Sequence, residues 1–274
     1  MPSERTALIP SAPPRGTFAP SGPNDKRSPC PIINCLANHG YISRDGKNIR
    51  AGELNAAMNV VGLSAVLGAC LARPIFNEYQ DPNKANLREK PGLLVRIWSI
   101  ICNPWLILAS FGMRRPGQID AAGKKVIDLD QLALPGVVEH DISLSRRDYL
   151  QKEGNIALQK DLVKEILAAS SDNETLTLED LAALRKRRIQ QQTEDNPGLK
   201  YGSREHQIGC GEISLILDVF GNGKSVPCSY VRAIFDEERL PVQEGWTKRR
   251  WWTVGFLELE STVKKVKACI GLQI

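Results

Sequence analysis

The stretch Ser28-Pro29-Cys30-Pro31 predicts a helix start that carries a reactive thiol. Pro31 suits the first position of a helix, where its missing N–H costs nothing, and Gly40 suits the left-handed residue that ends one. The spacing therefore predicts a helix over 31–39 with Cys30 at its N-terminus. Free N–H groups and the helix dipole there favour a thiolate. Such a thiolate can bind a soft metal or a haem iron, or act as a nucleophile; a buried free cysteine or half of a disulfide is the alternative.

Length, charge and residue counts exclude several classes of protein. The chain has 274 residues, of which 42% are hydrophobic, enough for one large core or two modest domains. The net charge of +5 comes from dispersed basic residues and indicates no nucleic-acid partner. Three widely spaced histidines disfavour a histidine-rich metal site, and seven cysteines without a CxxC pair exclude a zinc ribbon. The odd cysteine count permits a disulfide-linked homodimer.

Helical periodicity dominates the chain, and strand-like alternation is scarce. We therefore expect a single, mainly α domain with little or no β structure. Residues 1–27 are rich in proline and predict an extended arm. The run Arg185-Lys186-Arg187-Arg188 indicates a solvated helix face. Helices are predicted at 53–72, 158–169, 178–192, 211–219, 227–235 and 251–266, and a short helical turn at 129–134.

The most apolar stretch, Leu93 to Met113, resembles a membrane span in length. Arg96, Asn103 and Pro104 divide it into two short pieces. We therefore expect two short helices, buried or lying on a membrane surface, rather than a transmembrane helix.

Glu139-His140-Asp141 with Ser143 forms a dense polar cluster. If this stretch begins a helix, Glu139 and Ser143 lie one turn apart on the same face. Carboxylate, hydroxyl and backbone carbonyl oxygens suit magnesium or calcium. His140, placed between two acids, is expected to hold a proton more tightly than usual. The alternative is a capped helix start with a surface ion network.

Glu212 carries the third chemical signal, because it lies in an apolar helical segment. Ile208, Leu215 and Ile216 share its face by the three-and-four spacing. A carboxylate in apolar surroundings has a raised pKa and can serve as a general acid–base. The alternative is a glutamate that merely favours a helix N-terminus.

Taken together and in order, these motifs carry a resemblance to a known family. The chain resembles the fungal haem-thiolate peroxidases of the chloroperoxidase and unspecific peroxygenase family, and among them the short, histidine-type members. The resemblance covers roughly residues 28–247 and implies a single haem-binding helical domain of chloroperoxidase type, with a hydrophobic insertion at about 93–113 and a C-terminal helical extension at 248–274. The matching motifs are Ser28-Pro29-Cys30-Pro31, Asn38-His39-Gly40-Tyr41, Glu139-His140-Asp141 with Ser143, Gly211-Glu212, and Glu238-Arg239-Leu240-Pro241.

The resemblance implies two cofactors. Haem b would be held by Cys30 as the proximal thiolate ligand, which favours cleavage of the O–O bond. Magnesium would be bound by the Glu139 carboxylate, the backbone carbonyl of His140 and Ser143, together with a haem propionate.

The resemblance also implies an acid–base pair and a substrate pocket. Glu212 would move a proton between the two oxygens of hydrogen peroxide. His140 would hydrogen-bond Glu212 and stabilise its charge, with Asp141 orienting His140. The expected pocket is aliphatic rather than aromatic, and is lined by Val138, Leu215, Ile216 and Ile208.

The implied activity is that of a peroxygenase, which uses hydrogen peroxide to hydroxylate or epoxidise hydrophobic small molecules, with side peroxidase activity. Three alternatives stay open: a haloperoxidase, a dedicated secondary-metabolite oxidase, and a non-enzymatic, membrane-associated helical protein with a structural Cys30. A membrane-surface contact would run through residues 93–113. The N-terminus shows no signal-peptide pattern, so either the protein is intracellular or its leader is unusual or absent from this sequence, whereas the family is mostly secreted.

Overall fold

The structure, a computed structural model, describes residues 13–79 and 112–272. These residues contain eight α-helices and two small antiparallel sheets around one hydrophobic core, so the expected mainly α fold is confirmed. The helices are α1 (Pro31–Asn38), α2 (Ala51–Val60), α3 (Ala65–Ala72), α4 (Lys160–Ala168), α5 (Leu178–Asp195), α6 (Ser203–Phe220), α7 (Cys228–Phe235) and α8 (Phe256–Ile270). Short 3-10 helices span Arg73–Phe76 and Leu129–Ala133.

Each of the two sheets is a pair of short strands from distant parts of the chain. Strand β1 (Ile49–Arg50) pairs with β2 (Val126–Ile127), and Ile49 lies opposite Ile127. Strand β3 (Thr175–Thr177) pairs with β4 (Ser225–Pro227), just before α5 and α7 respectively. Strands of two or three residues add little hydrogen bonding, so helix packing carries the fold.

Helix α1 forms as predicted from its proline and glycine. Pro31 is its first residue and Gly40 has the left-handed φ of 67° that ends it. The described part of the predicted arm 1–27 lies against the end of this helix, where the N–H of Gly16 donates to the carbonyl of His39. The chain entering α1 is therefore fixed on both sides of Cys30.

The single helix predicted over 53–72 is wrong, because the chain turns between α2 and α3. Gly62 has a φ of 102°, which an L-residue with a side chain rarely adopts. Ser64 then caps α3, its hydroxyl accepting the N–H of Leu67. The N–H of Ser64 donates to the carbonyl of Val254, and the N–H of Val254 donates to the carbonyl of Gly62. These two hydrogen bonds join the turn to the segment before α8.

Helix α5 begins at a capping box, but its basic run is not the solvated face that we expected. Thr177 and Asp180 satisfy each other's backbone N–H groups. Lys186 and Arg187 are exposed, whereas Arg185 and Arg188 are 0% and 2% exposed. The last two fall on the same stripe as the buried apolar residues of this helix, which are Leu178, Leu181, Ala182, Leu184 and Ile189.

Two further predictions about local structure are wrong. The helix that carries Glu212 begins at Ser203 rather than at Gly211, so Glu212 lies in the middle of α6. The Glu139–Ser143 stretch is a loop and not a helix start, because Ile142 has a φ of 64°. Its N–H donates to the Asp148 carboxylate at 2.7 Å.

The C-terminal segment packs onto the middle of the molecule. The predicted extension over 248–274 contains α8, which lies against α5 and α6. Thr262 of α8 donates a hydrogen bond of 2.9 Å to the buried Asp218 of α6. The apolar face of α8 is formed by Leu259, Val263, Val266 and Ile270.

Within residues 13–79 and 112–272, no helix is both long and apolar enough to cross a membrane. The predicted pair of helices over 93–113 falls outside the described residues except for Gly112 and Met113. Met113 is buried, and its N–H donates to the carbonyl of Ile75.

Candidate active site

A large cavity lies where α1, α2, α3, α6 and the Glu139–Ser143 loop meet. It contains about 1840 Å³ of empty space, counting the part open to solvent, and most of the side chains that line it are apolar. Among the lining residues are Cys30, Glu139, His140, Ser143 and Glu212. The structure therefore brings five of the polar residues that the sequence singled out into one cavity, whereas Asp141 is not among the residues that line it.

Cys30 lies at the N-cap position of α1 with an extended backbone. Burial raises the pKa of its thiol to about 11, although the N–H groups of Ile33 and Ile32 act in the opposite direction. The nearby carboxylate of Glu212 raises this pKa further, and Arg146 lowers it. The helix N-terminus alone therefore does not make the thiolate; a cation bound against the sulfur would.

His140 and Glu212 form an ion pair within the cavity, with 3.2 Å between Nε2 and Oε2. Burial alone would raise the pKa of Glu212, but the His140 cation and its hydrogen bond bring it below the usual value. Burial alone would lower the pKa of His140, but Glu212 raises it. Glu212 lines the cavity, and 46% of its side chain is exposed. A ligand that enters the cavity can therefore reach the carboxylate.

The backbone of Asp141, rather than its carboxylate, contacts the imidazole. His140 Nδ1 lies 2.8 Å from the Asp141 carbonyl oxygen, which fixes the ring and leaves Nε2 for Glu212. The Asp141 carboxylate instead accepts the N–H of Lys200 at 3.1 Å.

Glu139 and Ser143 lie on the same cavity wall as His140. Burial raises the pKa of Glu139 to about 7, even though the Asn155 side chain hydrogen-bonds the carboxylate. In the described part of the chain, no three His, Cys, Asp or Glu side chains converge on one metal site.

The four predicted pocket residues all line this cavity: Val138, Ile208, Leu215 and Ile216. Sequence reasoning missed the contribution of α2, whose Leu54 and Met58 also face the cavity. It also missed Arg146, which is buried at the cavity wall and pairs with Glu238 at 2.7 Å.

The residues present fit a haem. Cys30 and Glu139 are two acidic groups of the cavity wall whose pKa values are raised by burial, so each needs more positive charge than Arg146 and His140 provide. A haem iron at the sulfur and a divalent ion at the carboxylate would supply those charges. The remaining wall is mostly apolar, as a porphyrin ring requires.

A mainly helical domain with a cysteine and a histidine–glutamate ion pair in one cavity fits a peroxidase-type oxidoreductase. Comparison with known sequences agrees: the family described as "Peroxidase, family 2" matches residues 16–251, and the chain belongs to this family. The family uses peroxide and organic substrates and suggests a haem cofactor.

Individual relatives match over shorter regions. The "Chloroperoxidase" of Leptoxyphium fumago is 30% identical over 139 residues, which are 50% of this chain and 28% of that protein. The "Aromatic peroxidase fscJ" of Fusarium equiseti is 26% identical over 182 residues, 65% of this chain and 37% of that protein. The "Dothistromin biosynthesis peroxidase dotB" of Dothistroma septosporum is 44% identical over 50 residues, 18% of this chain and 12% of that protein. The chain therefore covers well under half of each relative.

Proposed function

We propose that the protein is a haem-thiolate peroxygenase that uses hydrogen peroxide to hydroxylate or epoxidise hydrophobic small molecules. The observation that carries this proposal is the Glu212–His140 pair at 3.2 Å inside the cavity that also contains the Cys30 thiol. An acid–base group that moves a proton and a thiolate ligand that pushes electron density onto the iron both favour cleavage of the O–O bond of peroxide at a haem.

In this proposal Cys30 would bind the iron of haem b, and Glu139, the His140 carbonyl and Ser143 would bind magnesium beside a propionate. The Cys30 thiol would face the iron and the Glu139 carboxyl would face the magnesium ion. Burial raises the pKa of both groups, so a bound cation would favour the charged form of each. A bound haem with a thiolate ligand supplies the redox chemistry that cleaves the O–O bond and passes oxygen to the substrate.

Glu212 moves the proton. Its lowered pKa keeps Oε2 deprotonated, so it can accept a proton from one oxygen of hydrogen peroxide and deliver it to the other, which leaves as water. His140, held by the Asp141 carbonyl, stays protonated and stabilises the Glu212 charge between these transfers.

Val138, Ile208, Leu215 and Ile216 surround the reaction site with aliphatic surface. Such a wall binds hydrophobic substrates by excluding water and provides no hydrogen bond that selects one polar group. This favours broad oxyfunctionalisation over a narrow choice of substrate.

The absorption spectrum of purified protein tests the proposal. We expect a Soret band that moves to about 450 nm when the protein is reduced and exposed to carbon monoxide, as a thiolate ligand implies. Cys30→Ala should abolish that band. Cys35→Ala is the matched control, because Cys35 lies in the same helix, is buried and does not line the cavity. A colourless protein would contradict the proposal and favour a non-enzymatic helical protein.

The names of two relatives favour a second candidate function for this chain. One relative is called a chloroperoxidase and another a biosynthesis peroxidase, so halogenation or one dedicated oxidation is the alternative to peroxygenation. Chloride oxidation at acid pH, compared with hydroxylation of a benzylic substrate by the same sample, separates these activities. A membrane-surface contact through 93–113 and a homodimer stay predictions, which vesicle binding and sedimentation can test.

A further inference from the structure

Arg185 is a buried cation that the proposed chemistry does not use, although it lies beside the groups that do. It belongs to α5, is 0% exposed, and acts electrostatically on both Glu212 and His140. Burying a guanidinium is costly unless its N–H groups find acceptors. The acceptors that Arg185 finds indicate what it does.

The first acceptor is the carbonyl of Ile142, to which Arg185 Nη1 donates at 2.8 Å. Ile142 has a left-handed φ of 64°, which is unfavourable for a β-branched residue. Its N–H is held on the other side by Asp148 at 2.7 Å. Arg185 and Asp148 thus clamp one strained residue, two positions after His140, and that residue sets the direction of the loop.

The second acceptor lies on the helix that carries Glu212. Arg185 Nη2 donates to the carbonyl of Glu205 at 3.3 Å, and the guanidinium packs directly on Gly209. A Cβ built on Gly209 would lie 1.9 Å from Nη2, so only glycine leaves room for this contact. Gly209 precedes Glu212 by about one helical turn.

We propose that Arg185 is a positioning residue, which joins the Glu139–Ser143 loop to α6 and so holds His140 within hydrogen-bond distance of Glu212. The proposal rests on the proposed function of the Glu212–His140 pair. One side chain connects the carbonyl of the strained loop residue with the glycine beneath Glu212. The remaining guanidinium atom, Nε, is buried and has no hydrogen-bond partner within the described residues, which is the cost of this placement.

Three variants test the role. Arg185→Gln removes the guanidinium, and Gly209→Ala displaces it while keeping its charge. Arg188→Gln is the matched control, because Arg188 is equally buried in the same helix and donates only to Gln191 of that helix among the described bonds.

We expect Arg185→Gln and Gly209→Ala each to slow the reaction with peroxide about 10- to 100-fold, since misplacing a catalytic pair by about 1 Å has effects of this size. The KM for the organic substrate should change less than about twofold, because the aliphatic wall is untouched. The double variant should lose no more than the worse single one, since both remove the same contact. Arg185→Lys, which can still reach one carbonyl, should restore part of the rate.

A spectroscopic readout separates positioning from general stabilisation. The chain has three histidines, so ¹⁵N-histidine labelling gives a simple spectrum. In the reduced, carbon-monoxide-bound protein, the His140 ring signal should shift or broaden in Arg185→Gln and stay in place in Arg188→Gln. His39, which binds the carbonyl of Gly16 at 2.8 Å, is the internal reference.

Two results would overturn the proposal: a folded Arg185→Gln protein with the parental peroxide rate and His140 signal, or an equal loss in Arg188→Gln. If Arg185→Gln fails to fold, Gly209→Ala and Arg185→Lys give the same readouts. If the protein binds no haem, the proposed function fails, yet the His140 signal of the cofactor-free protein still tests the contact of Arg185.

Discussion

The two chemical parts of the cavity are assembled in different ways. Cys30 and the N–H groups that act on it, those of Ile32 and Ile33, belong to four consecutive residues. His140 and Glu212 are far apart in the chain and meet at 3.2 Å only because a loop and the middle of α6 come together. The position of the thiol at a helix N-terminus therefore depends on local structure, whereas the His140–Glu212 pair depends on tertiary structure. Variants that affect one part and spare the other can measure this difference.

Glu212→Gln should have the largest effect, because it removes the proposed proton carrier and leaves Cys30 unchanged. We expect the reaction with hydrogen peroxide to slow by about 10² to 10⁴-fold, the range for loss of a general acid–base. Stopped-flow absorbance of the haem band measures this rate. The thiolate spectrum should be retained, which would show that the two parts are separable.

Glu205→Gln is the control for Glu212→Gln. Glu205 lies at the start of the same helix, where its carboxylate accepts the N–H of Gly202, and the amide oxygen of a glutamine can accept the same N–H. Equal losses in both variants would assign the effect to α6 as a whole and remove the acid–base role.

Arg146→Gln should destabilise the wall of the cavity that contains Cys30. Arg146 is buried beside Cys30 and pairs with Glu238, which also accepts a hydrogen bond from Asn34 of α1. Breaking a buried pair leaves one charge without its partner, so we expect unfolding free energy to fall by on the order of 3 kcal/mol. Urea unfolding measures this change.

The neighbouring Arg147 provides a matched comparison for Arg146. It pairs with Asp161 at the surface, where more than half of the Asp161 side chain is exposed. Arg147→Gln should therefore cost less than about 1 kcal/mol. If the two variants lost the same stability, burial of the Arg146 pair would contribute nothing.

His140→Gln tests how the acid–base pair depends on pH. The pKa of Glu212 is below its usual value because the His140 cation outweighs the effect of burial. Without that cation, burial raises the pKa of Glu212, so the carboxyl holds its proton to higher pH. The acid limb of the pH–rate profile therefore moves to higher pH. On that limb each unit of displacement lowers the rate about tenfold. His39→Gln, on α1's side of the molecule, should leave the limb where it was.

The sequence predicted the local part of the site better than the tertiary part for a physical reason. Pro31 and Gly40 restrict their own backbones, so α1 and its N-terminal Cys30 followed from residue type alone. By contrast, the first five residues of α6, from Ser203 to Gln207, are polar and have little apolar periodicity, and the helix start was placed too late. Its true start depends on packing against α5 and α8.

Arg185 could not be recognised from its charge, but its register held the necessary signal. Arg185 follows Leu178 by seven residues and Leu181 by four, which places it on the apolar stripe of α5. A basic run is usually solvated, and that expectation outweighed the register. The loop at Ile142 gave no signal at all, because a left-handed isoleucine is imposed by its partners Asp148 and Arg185.

Asp218→Asn should give the smallest effect and sharpen the comparison within α6. Glu212 has a cation and a lowered pKa, whereas burial raises the pKa of Asp218 to about 6. Since the folded protein binds that proton more tightly than the unfolded chain, stability is lost as pH rises from about 3.8 through about 6. Asparagine carries no charge and can still accept the Thr262 hydrogen bond, so we expect a gain on the order of 1 kcal/mol at pH 8 and none at pH 3.5. Urea unfolding at both pH values measures it.

Asp172→Asn is the opposite case. The Asp172 carboxylate accepts N–H groups of Thr175 and Glu174, which hold its pKa well below the usual value. Replacing it should destabilise the protein at neutral pH, and the difference should shrink as pH falls below about 3.8. A gain in both aspartate variants at neutral pH would mean that the loss of a negative charge, rather than the local partners of each carboxylate, sets the effect.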